Sequence, residues 1–338
     1  MSDAVDDAMG DAVGAACPAD PAVTARTGPR DQARPGSAPR GLLVVGDVVT
    51  DVVARHRGPL AAATDTAAEI RTVPGGAGAN AACWAAYSGC PDVRMLGRVG
   101  SDAAAWHERV LRRAGVRPLL VPDTAASTAT VVSLVDTATA ERTFLTDSGA
   151  VLRISPADWN PAFLDGIGHL HLSGYLFFAD VSRELAIAAC RSARSAGVPV
   201  SLDPASAGFL AELGADEFLA AAEGMDVLLP NADEARILTG LSEPADAAAE
   251  LSRRFPLVAV TLGAVGALVA SDGDLLARTC APPTGAPAVD STGAGDAFTG
   301  GFLAARLAGA DPAEAAAAGC RAGAEAVTLV GGRPPVRD

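Results

Sequence analysis

The run Val289-Asp290-Ser291-Thr292-Gly293-Ala294-Gly295-Asp296-Ala297-Phe298 is built of small side chains and leads straight into Phe298, Phe302, Leu303 and Leu307 at helical spacing. It reads as a loop feeding the start of a helix. The first helical turn carries backbone N–H groups with no intrahelical acceptor, and the aligned peptide dipoles place partial positive charge there. Gly293 and Gly295 let an anion approach that backbone closely. Asp296 falls in the same turn, where an acid can serve simply as a cap or dipole partner. Next to a phosphate cradle it acquires a second use. Amides that hold a transferring group beside a carboxylate that takes the proton of the attacking hydroxyl are what phosphoryl transfer requires.

A second glycine-rich turn, Pro74-Gly75-Gly76-Ala77-Gly78-Ala79-Asn80, also opens a helix. Its Gly-x-Gly spacing invites a dinucleotide-binding reading, but that fingerprint follows the first strand of a βαβ unit, and the first strand here ends at Gly46-Asp47. The context fails, and a nucleotide-dependent dehydrogenase fails with it. Asn80 either caps its helix or binds a polyol through its amide.

Both turns need a scaffold. Residues 1–40 mix Ala, Asp, Pro, Gly and Arg with almost no large apolar side chains, which predicts a disordered tail. Order is expected from Gly41, where Gly41-Leu42-Leu43-Val44-Val45-Gly46-Asp47 reads as a buried strand of a parallel sheet. Helices are predicted over 80–88 and 103–114, each stopped by glycine. The apolar runs His169–Leu172, Val198–Leu202, Val227–Leu229 and Leu257–Leu262 alternate with Ala-rich helical stretches, the rhythm of a doubly wound, Rossmann-like α/β sheet. Thr130–Val135 and Arg142–Thr146 are β-branched, flank a polar turn and predict a hairpin outside that sheet. The extended segments near 51–73 and 117–146 are expected to form a small β-sheet lid on one domain spanning 41–338.

Composition narrows the chemistry. Of 338 residues 49% are hydrophobic, enough for a large core, and all 26 basic residues are arginine. Without lysine there is no Walker A loop, no protein-kinase strand lysine and no Schiff base. A formal charge of −14 disfavours nucleic acid and anionic membrane as partners, so a small molecule is expected. No stretch reads as a signal peptide or a membrane span, which predicts a cytoplasmic protein. The six scattered cysteines are read as reduced thiols. His169 and His171 share one strand face, but a zinc site needs more ligands than they supply, so packing or pocket lining is expected.

Taken together, the two glycine motifs resemble those of the ribokinase family, the PfkB-type carbohydrate kinases. Between them Pro230-Asn231-Ala232-Asp233-Glu234 is similar to that family's Asn-x-x-Glu element, and Thr261-Leu262-Gly263-Ala264-Val265-Gly266 to its nucleotide-contacting strand and turn. The likeness runs from about Gly41 to Arg333. It implies a ribokinase-like fold with a lid and transfer of the ATP γ-phosphate to a hydroxymethyl group of a sugar. By this resemblance Asp296 is the general base, and the amides of Gly293, Ala294, Gly295 and Asp296 form the anion hole. Asp51, Gly76 and Asn80 would bind the substrate. Asn231 and Glu234 would organise Mg²⁺ and phosphates, Glu234 through water, and Thr261, Gly263 and Gly266 would contact ATP. Many members use K⁺ beside the anion hole, and Asp290 with Thr292 match part of that site. Lid segments often pair between two subunits, so a homodimer through the lid is implied.

Departures bear on the acceptor. Asp203-Pro204-Ala205-Ser206 lacks the asparagine and arginine that fructokinases and 2-keto-3-deoxygluconate kinases commonly place after Asp-Pro. Ala77 and Ser173 stand where ribokinases usually carry a lysine and a pocket acid. Residues 51–73 hold no aromatic ring for a nucleobase, His56 being the nearest candidate, so a sugar is expected ahead of a nucleoside. A catalytically silent sugar sensor would have lost the base or the anion hole, and both are present.

Overall fold

The computed structural model describes residues 41–139 and 142–336; the tail reading falls on residues outside these. The chain runs β1 (Gly41–Val45), β2 (Val49–His56), β3 (Ala68–Gly75), α1 (Ala77–Tyr87), β4 (Val93–Gly100), α2 (Ala104–Arg113), β5 (Val116–Asp123), β6 (Ala129–Asp136) and β7 (Arg142–Asp147). It continues through β8 (Ile167–Ser173), α3 (Asp180–Ser195), β9 (Val200–Asp203), α4 (Ala207–Leu213), α5 (Ala215–Ala221), β10 (Val227–Leu228), α6 (Ala232–Thr239), α7 (Pro244–Leu251) and β11 (Leu257–Thr261). The hairpin β12 (Gly266–Ser271) and β13 (Asp274–Cys280) precedes α8 (Ala294–Leu307) and α9 (Pro312–Ala326).

Among the described residues the large sheet has nine strands in the order β13-β12-β11-β10-β9-β8-β1-β4-β5. From β11 to β5 every pairing is parallel, and at the other edge β12 pairs antiparallel with both β11 and β13. Strand β1 is buried along its whole length because both faces are covered. Leu43 and Val45 point into a core built with α3 to α7, whereas Leu42 and Val44 point into one built with α1, α8 and α9. A sheet sandwiched in this way needs the near-continuous apolar strands that the sequence displays.

The second sheet has four strands ordered β3-β2-β6-β7. The predicted hairpin is its β6–β7 edge, paired from Thr130↔Asp147 to Val135↔Arg142. The segment near 117–146 divides, however: Val116–Asp123 pairs with β4 as an edge of the large sheet, and only the later strands β6 and β7 join the small one. Pro118 and Pro122 in β5 suit an edge position, where a missing N–H disrupts no ladder.

No helix of the described residues is long and apolar enough to cross a membrane. Cys83, Cys90, Cys190 and Cys320 are free and buried, while Cys280, exposed at the end of β13, is disulfide-bonded, against the reading of all six as thiols. His169 and His171 are buried in β8 and held neutral, burial lowering both to about 3. Among the described residues no cluster of three metal-ligating side chains exists.

Candidate active site

Two helix starts meet at one place. Helices α1 and α8 pack at Gly300, where a Cβ would lie 2.6 Å from the Ala81 carbonyl and 2.7 Å from the Ala85 nitrogen. So close an approach brings their first turns together at the floor of a cavity of about 600 Å³. The small sheet covers the other side of that cavity through β2, β6 and β7.

The α1 turn is fixed from a distance. Gly76, the N-cap, has φ 94° and no capping side chain, and a Cβ there would meet the Asp47 carbonyl at 2.6 Å. The orphan amides of Ala77 and Gly78 donate instead to the Asp47 carboxylate, at 2.6 and 3.0 Å, and the Ser173 hydroxyl donates to it at 2.7 Å. Ser173 thus props up a buried acid at the end of β1 and does not line the cavity.

Asp296 sits in the first turn of α8 and accepts a 2.8 Å hydrogen bond from Asn80 Nδ2. Gly293, at φ 75°, caps α8 with no side chain, and a Cβ there would lie 2.4 Å from Gly332 Cα. Among the first-turn amides, those of Ala294 and Ala297 find backbone acceptors at Ser291 and Gly293. Of this turn Thr292 and Asp296 line the cavity, whereas Gly293, Ala294 and Gly295 do not, and Gly295 is exposed. Asp51 on β2 and Asp290 and Thr292 before α8 line the same cavity. Asp290 accepts from the Thr292 amide at 3.0 Å with one oxygen and from the Gly331 amide at 3.1 Å with the other, tying the segment after α9 to the loop before α8.

Burial raises the acids of the site. Asp51 is pushed up to about 6 by desolvation, which Arg333 opposes and Asp47 and Asp290 reinforce. Asp296 is raised well above the usual carboxylate range by burial, with the Asn80 donor pulling down and Asp203, Asp47 and Asp51 pushing up. Asp203, bonded by Thr299 Oγ1 and the Ala205 amide, lies at about 6, and Glu234 at about 8, both through burial first, with the Asp203 charge adding to the shift of Glu234.

The remaining motif residues lie apart from this cavity. Asn231 caps α6 and forms a reciprocal capping box with Glu234, with bonds of 2.9 Å in each direction. Thr261 bridges to Asn231 in a short parallel contact and donates its amide to Pro230. Gly263 and Gly266 bound the turn between β11 and β12. A second cavity of about 300 Å³ lies between residues 282–286 and α9, and its loop begins beside that turn, with the Ala281 amide donating to the Val265 carbonyl.

Sequence reasoning passed over several site residues. Asp47 was readable as a polar residue closing a buried strand, whereas nothing local marks Arg333 as a neighbour of Asn80 and Gly75. The aromatic side chains were sought in residues 51–73, but Phe144, Tyr175 and Phe209 line the cavity from elsewhere. Tyr175 meets Phe209 edge-on at 5.9 Å, and Phe178 stacks behind Phe209 at 5.0 Å. His56 instead bonds its own Gly58 carbonyl.

Comparison with known proteins agrees with this architecture. A fructokinase of Klebsiella pneumoniae is 32% identical over 271 residues, covering 77% of this chain and 82% of that protein. The structure of adenosine kinase from Sinorhizobium meliloti superposes with a TM-score of 0.78 at 22% identity, covering 88% of this chain and 96% of that one. An E. coli structure described as ribokinase II in complex with ATP and Mg²⁺ gives a TM-score of 0.76 at 23% identity over 87% of this chain and 94% of that one. These two likenesses establish the ribokinase-type fold. The profile of the pfkB family carbohydrate kinases matches residues 40–338, and the chain belongs to that family of phosphotransferases.

Proposed function

We propose that this chain transfers the γ-phosphate of ATP to a hydroxymethyl group of a sugar bound in the 600 Å³ cavity. The observation that carries this reading is Asp296, held by Asn80 at the open N-terminus of α8 in the same cavity as Asp51. Asp296 takes the proton of the attacking hydroxyl; its raised affinity for a proton suits a base that must work near neutral pH. The amides of Gly293, Ala294, Gly295 and Asp296 stabilise the charge on the transferring phosphoryl. Asp51 accepts bonds from acceptor hydroxyls, and Gly76 and Asn80 line the same surface.

ATP is assigned to the side of α8 away from the sugar, with Asn231, Thr261, Gly263 and Gly266 contacting it and the cavity beside residues 282–286 supporting that placement. Mg²⁺ fits the donor set: Asp203 and Glu234 repel one another as buried acids, and a divalent cation offsets that repulsion. When bound it neutralises charge on the ATP phosphates, with Glu234 reaching it through water. K⁺ is assigned beside the anion hole, at the loop holding Asp290 and Thr292.

The lining argues for a neutral acceptor. Among the described residues, Asp47, Asp51, Asp136, Asp147, Asp290 and Asp296 face the cavity against one cation, Arg55, a balance that repels a sugar acid or a phosphosugar. A nucleoside is the second reading, favoured by the Tyr175–Phe209 wall, on which a planar base can stack. The other face of the small sheet carries exposed apolar side chains: Ile70 pairs beside Ala54 and Leu145 beside Val132, and Ile70 and Leu145 are 65% and 56% exposed. A second copy of the chain covering that face would give a homodimer through the lid.

The test is ADP release with Mg-ATP across neutral pentoses and hexoses, sugar acids, phosphosugars and nucleosides, with and without K⁺. Turnover on a neutral sugar supports the reading, and turnover confined to nucleosides selects the second. Absence of turnover on every acceptor, with ATP still bound, identifies a silent sensor.

A further inference from the structure

The segment after α9 ends in an arginine that no motif includes. Gly331 is tied to Asp290, the Gly332 carbonyl accepts the indole N–H of Trp84 at 2.9 Å, and Gly332 is pressed on Asn80 so closely that a Cβ would lie 2.3 Å from its Nδ2. This anchoring delivers the Arg333 guanidinium behind the α1 turn. There Nη2 donates to the Gly75 carbonyl at 3.0 Å, Nε approaches Asn80 Oδ1 at 3.4 Å, and Nη1 is buried with no hydrogen-bond partner among the described residues.

The amide of Asn80 is therefore flanked by opposite charges. Its oxygen faces the guanidinium and its NH₂ faces the carboxylate of Asp296. Swapping the two ends would aim NH₂ at a cation and a carbonyl oxygen at an anion, both repulsive, so the two charges together select one orientation. That orientation matters to the base: it commits one oxygen of Asp296, Oδ2, to Asn80 and leaves Oδ1 for an incoming hydroxyl. The Gly75 bond adds a second constraint, because the Asp51 carboxylate lies directly over Gly75, where a Cβ would meet Asp51 Oδ2 at 2.1 Å.

We propose that Arg333 is a positioning residue of the phosphotransfer site, acting through Asn80 to orient Asp296 and through Gly75 to seat the turn beneath Asp51. The inference rests on the reading of Asp296 as general base. Arg333 touches neither reactant, since it does not line the cavity. Its effect on Asp296, and so on kcat, must pass through the amide it aligns, while the Gly75 bond acts on Asp51 and so on acceptor KM.

The test is a double-mutant cycle with a spectroscopic arm, on the full chain. Arg333→Gln removes the charge and keeps a donor; kcat is expected to fall about tenfold with Mg-ATP affinity unchanged, equivalent to about 1.4 kcal/mol of transition-state stabilisation. In an Asn80→Ala background the same substitution is expected to change kcat less than twofold, because its route is already cut. Arg333→Lys keeps the charge without the fork and is expected to recover part of the loss, and it serves if the glutamine variant does not fold. Equal losses in both backgrounds, or no loss, would overturn the proposal. A merely structural role would lower Tm while leaving kcat per folded molecule intact. Independently of turnover, the Asn80 side-chain NH₂ resonances, identified by their disappearance in Asn80→Ala, are expected to be protected from exchange in the native chain, to lose protection in Arg333→Gln and to lose it in part in Arg333→Lys. Unchanged protection overturns the proposal. Should no acceptor be turned over, the general-base reading fails by that result, and the resonances still decide whether Arg333 holds the amide.

Discussion

Asp296→Asn separates catalysis from stability, because the structure predicts opposite signs for the two. The substitution is isosteric, and the new amide can turn its oxygen toward Asn80 Nδ2, so the 2.8 Å contact has a replacement. What is lost is the proton acceptor. General-base catalysis by one side chain contributes about 10²–10⁴-fold, so kcat should fall by at least about a hundredfold, or about 2.7 kcal/mol in the barrier. Stability should move the other way. The native carboxylate is raised by burial and by Asp203, Asp47 and Asp51, so the folded state binds its proton more tightly than the unfolded chain does. Stability from this group is then lost as pH rises above the unfolded carboxylate range, and at pH 7 to 8 the charge works against folding. The variant removes that cost: its Tm should equal or exceed the native value at pH 7.5, with the advantage shrinking toward pH 4. The assay is ADP release beside calorimetric ATP binding and thermal melts at several pH values. Turnover within about tenfold of native, with ATP still bound, would refute the base assignment. A large fall in Tm at pH 7.5 would refute the electrostatic argument.

Asp51→Ala should weaken acceptor affinity by at least about tenfold, the loss of one charge-assisted hydrogen-bond acceptor, and leave ATP affinity unchanged; KM for each substrate reads this directly. With Asp51 at about 6, protonation in acid removes its charge and turns one oxygen into a donor, so KM for the acceptor should rise as pH falls through about 6 and level off no higher than in Asp51→Ala, measured with ATP saturating. Gly293→Ala places a Cβ 2.4 Å from Gly332 Cα at φ 75°, so it should cost about 1–3 kcal/mol in stability and displace the segment that holds Asn80, seen as a lower Tm and a lower kcat together.

The sheet was legible because parallel strands buried on both faces must read as near-continuous apolar runs; β1 and β11 do so, and β8 does apart from its two buried histidines and terminal Ser173. The hairpin was legible from β-branched alternation. Strand β5 was harder: a partly exposed edge with two prolines carries the pattern of a peripheral sheet, and only its pairing with β4 places it in the large one. The helix-start residues Asn80 and Asp296 were visible because glycine-rich turns announce where amides are exposed. Arg333 and the Tyr175–Phe209 wall were not, and Asp47 showed only as a polar strand end, because their importance lies in contacts across long stretches of chain, which local spacing does not encode.

Those long contacts have a consequence for synthesis. The floor of the cavity joins positions 47, 80 and 296, with 333 bonded behind it; together they span most of the described chain, and a ribosome delivers them in that order. On the proposed reading, a nascent chain that has exposed β1, the small sheet and α1 would hold the acceptor-facing surface without the base or the anion hole. The strap bearing Arg333 arrives last and closes the set. If Asp296 is the base, phosphate transfer would then become available only late in synthesis, and an incomplete chain would present no ATP-consuming centre.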